Sequence, residues 1–111
     1  MNRPLGVGIA CFPTVGGSGV AASQLAMWLS GRGHRVHVFS AETPVRLTGD
    51  GPWTVHRVST ASRPTAGLGE PPRALAEAMA EVTLAENLDV LHVHYALPHG
   101  PAAVMARERV R

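Results

Sequence analysis

The residues able to do chemistry fall in two short stretches. Gly16, Gly17, Ser18 and Gly19 form a glycine cluster about one serine, just after the turn expected at Pro13. Glycines there permit positive φ and let backbone N–H groups approach a ligand closely. A helix beginning at once afterwards points its partial positive end at the same spot, which suits a diphosphate or a carboxylate. Neither specific nucleotide fingerprint is present, since there is no G-x-x-x-x-G-K-[ST] and the spacing of Gly16, Gly17 and Gly19 is not G-x-G-x-x-G. A turn that merely joins strand to helix is the competing reading. The second stretch is DVLHVHYALPHG, residues 89–100, with His92, His94, Tyr95 and His99. No nearby carboxylate or cysteine completes a convincing metal set around these histidines, so no metal is expected. A strand end that delivers polar side chains to a crevice fits better, and it makes His94 and Tyr95 candidates for ligand contact, with structural roles equally open. Arg46 is either a solvated arginine or an anion contact from a loop. Glu77 and Glu81 are a like-charge i,i+4 pair, the mark of a solvated helix face rather than of paired catalytic carboxylates.

The elements that must position these residues follow from periodicity. Leu5, Val7 and Ile9 alternate with Gly6, Gly8 and Ala10, as in an interior strand of a parallel sheet covered on both faces. A helix is predicted from about Gly19 to Ser30, with Val20, Ala21, Leu25 and Leu29 on one face, Ala22 and Ala26 beside them, and Trp28 extending that face or covering its edge. Ser18 would be its N-cap and Gly31 or Gly33 its exit. VHVF, residues 36–39, gives a second strand, with His37 a structural or surface histidine. A loop spans Ser40 to Pro52, and WTVHRV, residues 53–58, reads as a third strand. The Ser, Thr, Ala, Gly and Pro content of residues 59–72 marks a flexible crossover. Pro71 and Pro72 introduce a helix carrying Leu75, Met79 and Val82, which Asn87 helps to close. Asp89 to Tyr95 form a fourth strand, and a last helix starts at Pro101. The fold class is α/β, a Rossmann-like open parallel sheet.

Composition bounds the function. The chain of 111 residues allows one small core and not a two-domain enzyme. Its formal net charge is +2, and its scattered arginines do not form a nucleic-acid surface. Arginine does suit bidentate recognition of carboxylate or phosphate, which keeps anionic small molecules in view. The single cysteine, Cys11, excludes an intrachain disulfide. No run approaches a membrane span or a signal peptide, so a cytoplasmic domain without membrane contact is expected. A sheet that stops after a fourth strand and a short helix has an apolar edge, which further strands, a partner chain or a homo-oligomer would cover. A fragment or one piece of a split protein is therefore expected.

IACFPTVGGSGVAASQLAMWLSGRGHRVHVFS, VHRV, TPVRL, PP and ENLDVLHVHYALPH together resemble the N-terminal part of family 4 glycosyltransferases of the GT-B fold, in particular those of bacillithiol biosynthesis. The likeness spans nearly the whole chain, and GGSG combined with HVHYALPH is more specific than either alone. It implies a retaining transfer of N-acetylglucosamine from UDP-N-acetylglucosamine to the hydroxyl of L-malate, without a metal. Gly16 and Gly17 would lie against the donor diphosphate and the reacting centre. Ser18 would hold the malate carboxylate with Tyr95 beside it, and Arg46 would add positive potential to the acceptor pocket. His94 would match the family histidine that contacts the donor sugar, positioning it and stabilising charge rather than acting as a general base.

Two departures bear on this. Related malate-using enzymes carry aromatic residues around the paired prolines, where this chain has Glu70 and Arg73 after a longer crossover. The C-terminal domain, which in the family makes most nucleotide and sugar contacts, has no counterpart in residues 1–111. The isolated chain is accordingly expected to be inactive and only marginally stable. A related transferase with another acceptor, such as inositol phosphate, and a noncatalytic anion-binding domain are the alternatives.

Overall fold

The computed structural model describes residues 3–12, 17–44, 46–47, 51–58, 73–94 and 99–111, with residues 17 and 18 described as backbone only. Four strands and three helices follow one another as β1 (Gly6–Ala10), α1 (Gly17–Gly31), β2 (Arg35–Ser40), β3 (Trp53–Arg57), α2 (Arg73–Glu86), β4 (Val90–Val93) and α3 (His99–Val110). All strand pairings are parallel and the spatial order is β3-β2-β1-β4. This is the Rossmann-like α/β sheet that the alternation of apolar strands and helical segments predicted. The order runs outward from β1 through β2 to β3 and then restarts on β1's other side with β4, so the topological switch point lies between β1 and β4.

β1 is central and fully buried because its two faces are made for different neighbours. Val7, Ile9 and Cys11 join Val36, Val38 and Leu47 beneath α1, while Ala10 joins Phe39, Leu75 and Met79 beneath α2 and α3. Gly8 shows why the second face is lined by small residues. A Cβ there would come within 2.8 Å of Leu91 Cδ2 and 3.1 Å of Phe39 Cε2, so the side chains that the neighbouring strands place on this face would have to give way.

α1 differs from expectation in three respects. It starts at Gly17 rather than near Gly19, which places Ser18 inside the first turn and not at the N-cap. Its buried residues are Gly19, Ala22, Ser23, Ala26 and Ser30, while Val20, Leu25 and Leu29 are only partly buried and Ala21 is exposed. The small residues take the sheet-facing stripe because a helix carrying them can lie close to the β-branched side chains of β1 and β2. Trp28 sits on the outer side, 55% exposed, with the Arg32 guanidinium 4.3 Å above its ring. α1 ends at Gly31, and Gly33 takes φ +91° just beyond it. Asn87, at φ 52°, closes α2 in the same left-handed way. α3 begins two residues before Pro101, so His99 opens a helix instead of lying in a loop.

Candidate functional site

In a parallel α/β sheet the strands' C-terminal ends and the N-termini of the following helices share one edge. Here that edge holds Cys11 and Phe12 after β1, Ser40 at the end of β2, His94 after β4, and the first residues of α1, α2 and α3. At the β1/β4 switch point the chain is tied closely. The His94 N–H donates to Ala10 O at 2.9 Å, which carries the β1–β4 ladder one residue past the strand. The His94 carbonyl accepts from His99 Nδ1 at 2.6 Å. The His99 ring, fully buried, lies against Phe12 with ring centres 4.5 Å apart. One imidazole thus joins the ends of β1 and β4 to the start of α3. The His92 and His94 rings meet edge-on at 4.9 Å, with His92 exposed and His94 half-buried.

The electrostatics favour an anion at this edge. None of the three helices has an acidic residue in its first turn, so their partial positive ends are not neutralised by their own sequence. Burial lowers the pKa of His94, and His92 and His99 lower it further; burial likewise lowers that of His99 against the opposing hydrogen bond to His94. Both imidazoles are therefore neutral at pH 7. Each leaves its Nε2 buried without a hydrogen-bond partner among the described residues. Burial pushes the Cys11 thiol up to about 11, against a smaller opposing influence of the neighbouring Ser40 side chain. Cys11 is a packed thiol, not a nucleophile. Among the described residues no three His, Cys, Asp or Glu side chains converge as a metal site, and no helix is long and apolar enough to cross a membrane.

With this edge in view, comparison with known proteins decides the family. Residues 15–111 match the model of Glycosyltransferase Family 4. The chain belongs to that family. It is also 42% identical over 112 aligned residues to N-acetyl-alpha-D-glucosaminyl L-malate synthase of Bacillus anthracis. The alignment takes in 96% of this chain but 28% of that protein, so this family 4 chain spans somewhat over a quarter of its relative's length.

Among the residues singled out from sequence, the structure brings Gly17 to the N-terminus of α1 and His94 to the end of β4, at the same sheet edge. Gly16 and Tyr95 lie outside the described residues, as does the side chain of Ser18. Arg46 is exposed in the connection between β2 and β3, where Leu47 N–H donates to Pro44 O within the turn at 2.9 Å and the buried Leu47 joins the core beneath α1. Glu77 faces solvent and pairs loosely with Arg109 at 3.7 Å. The paired prolines fall outside the described residues, and Arg73 opens α2 exposed. Sequence reasoning weighed His99 only as a third metal ligand. Its position in a first helical turn ahead of Ala102 and Ala106 was the available signal that it would be buried.

Proposed function

We propose that this family 4 chain is the N-terminal, acceptor-side lobe of a retaining glycosyltransferase that moves N-acetylglucosamine from UDP-N-acetylglucosamine to the hydroxyl of L-malate. What carries the reading is the switch-point edge. There a glycine-led helix N-terminus stands across the sheet end from a neutral, half-buried histidine, in a chain 42% identical to a malate-using transferase. In this reading the backbone N–H groups of Gly16 and Gly17 face the donor diphosphate and the reacting centre. Ser18 and Tyr95 hold the malate carboxylate, and Arg46 contributes positive potential. His94, kept neutral by burial, orients the donor sugar through its ring. It does not draw the acceptor proton, which passes to the leaving phosphate oxygen on the same face of the sugar. A separate C-terminal domain supplies most nucleotide contacts, and the isolated chain is inactive.

A second acceptor class is favoured by one feature. Arg73 stands exposed at the start of α2 on the candidate edge, where malate-using relatives are expected to carry an aromatic residue, and a cation there suits a phosphorylated acceptor. The deciding experiment supplies the uninterrupted parent gene product with UDP-N-acetylglucosamine and L-malate, and follows UDP release and product mass. Glucosaminyl-malate supports the reading. Transfer to inositol phosphate instead keeps the mechanism and removes malate, and no transfer to any acceptor moves the weight to a noncatalytic anion-binding domain.

A further inference from the structure

We propose that His99 is a positioning residue for the transfer reaction: by donating Nδ1–H to the His94 carbonyl, it fixes the backbone of His94 at the end of β4 and so the placement of the His94 ring against substrate. The inference rests on the function proposed above and adds a residue to it.

The geometry is specific. Both backbone polar groups of His94 are tied to different elements, its N–H to Ala10 O on β1 at 2.9 Å and its C=O to His99 Nδ1 on α3 at 2.6 Å. With its main chain held from two sides, the residue keeps only its side-chain torsions to respond to a ligand. The clamp itself is held rigidly. The His99 ring has no exposed surface and lies tilted at 36° on Phe12, and α3 is locked by the buried Ala102 and Ala106 against α2.

Packing alone does not explain an imidazole here. A phenyl or isobutyl group would fill the space beside Phe12 without burying a polar nitrogen. His99 buries two, and Nε2 finds no partner among the described residues. Such an unmet acceptor disfavours the folded state, so the stabilising return of this side chain lies in the one short N–H···O bond at Nδ1. Since Nδ1 donates, the neutral ring must be the Nδ1–H tautomer. A displacement of reacting groups by about 1 Å is enough to cost about a hundredfold in rate, which is why a bond that contacts no substrate can control the reaction.

The test compares His99→Phe and His99→Asn in the full-length protein. Phenylalanine keeps a ring against Phe12 and loses the donor, whereas the asparagine amide places an N–H near the position of Nδ1. The expected result for His99→Phe is a fall in kcat of about 30- to 100-fold, with donor KM little changed and the melting temperature near that of the parent. His99→Asn should recover kcat to within about fivefold, although it leaves more empty space. If His99→Phe keeps more than half of kcat, or if both variants lose activity only in step with melting temperature, the residue is structural and the proposal fails. Long-range nitrogen-15 spectra of the His99 ring give a readout that does not depend on turnover. The Nδ1–H tautomer is expected, and an Nε2–H tautomer overturns the clamp even where sugar transfer is confirmed. A correct tautomer in a protein that transfers no sugar to any acceptor overturns the assigned function and, with it, the positioning role.

Discussion

The two ends of the sheet are built on opposite plans. At the strands' N-terminal ends several of the described polar groups are closed on one another. Arg3 grips Asp89 with both terminal guanidinium nitrogens, at 2.7 and 3.3 Å, and Asp89 Oδ2 also accepts the Gly6 N–H at 2.8 Å. Arg35 donates to the last carbonyls of α2, Glu86 O and Asn87 O, so that a helix C-terminus meets a cation. His34 Nδ1 accepts from the Leu5 N–H at 3.0 Å. At the C-terminal ends, three helices carry no acidic residue in their first turns, and the buried Nε2 atoms of His94 and His99 find no partner among the described residues. Ser30 and Thr83, nearer the closed end, also have unpaired buried hydroxyls, but a helical hydroxyl can rotate toward its own i−4 carbonyl and a fixed imidazole cannot. Among the described residues, ion pairs and helix-end hydrogen bonds gather at one end, and helix N-termini without acidic first turns gather at the other. The contrast predicts that damage at one end shows in activity and at the other in stability.

The largest expected effect is at the open end. His94→Ala in the full-length protein should lower transfer by about 100- to 1,000-fold, or about 3–4 kcal/mol of transition-state stabilisation, and move the melting temperature little. Steady-state rates beside a thermal melt check both halves of that statement; an equal loss in the two would erase the distinction between the ends. Gly6→Val is the counterpart. Its Cβ would meet backbone atoms, Asn87 O at 3.0 Å and Leu88 Cα at 3.1 Å, which cannot swing aside as a side-chain tip can. The variant should cost about 1–3 kcal/mol in urea unfolding while the folded fraction keeps its kcat.

How far this contrast could be read beforehand depended on which signals are local. The parallel sheet was legible because alternation in LGVGIA and VHVF and helical spacing around Leu75 and Met79 are properties of short windows. The buried face of α1 was placed only in part by the same reasoning: Ala22 and Ala26 are buried and Leu25 and Leu29 pack at the edge of the same cluster, but Ala21 is exposed. Hydrophobicity favours Leu25 and Leu29, yet close approach to β1 and β2 selects Gly19, Ala22, Ser23 and Ala26, and how closely a helix lies on a sheet is a tertiary property. His94 was legible as a strand-end residue. His99 was not legible as its clamp, because the bond between them needs α3 to start at His99, and Pro101, which fits a helix's first turn, had drawn the expected start two residues later. The Asp89 bond to Gly6 spans 83 residues and has no local signature at all.

Asp89→Asn should have a smaller effect, confined to the closed end. The Arg3 fork and the Gly6 N–H hold the Asp89 carboxyl down to about 2, below its ordinary value of 3.8. A carboxylate stabilised in the folded state contributes its full stabilisation above pH 4, and that contribution is lost as pH falls from about 4 toward 2. The variant should melt lower than the parent at pH 6 and approach it at pH 2.5, with no change in the KM of either substrate. A constant difference across that range would show that the carboxylate charge is not what joins β1 to the start of β4.

The smallest effect tests a pair of histidines that belongs to neither end. His37 Nδ1 and His56 Nε2 are 2.9 Å apart, tying β2 to β3, and His56 also stacks on Phe39 at 5.1 Å between ring centres. Glu86 Oε1 lies 3.6 Å from His37 Nε2, so one proton arrangement serves all three groups: His56 Nε2–H donates to His37 Nδ1, and His37 Nε2–H points toward the carboxylate. Burial lowers both histidine pKa values; Glu86 opposes the shift at both, while Arg35 adds to it at His37. Two protonated rings would set donor against donor, so the folded state binds these protons less readily than the unfolded chain. Stability from the pair is therefore complete above pH 6.5 and declines as pH falls below it. His56→Phe keeps the stack on Phe39 and removes one titrating group and its hydrogen bond. It should be slightly less stable than the parent at pH 7.5 and lose less of its stability between pH 7 and pH 5, with some slope remaining because His94 and His99 also charge on unfolding. Parallel pH slopes for variant and parent would place the acid sensitivity at the open end, where burial lowers the pKa values of His94 and His99, and would make the contrast between the ends sharper than the static contacts show.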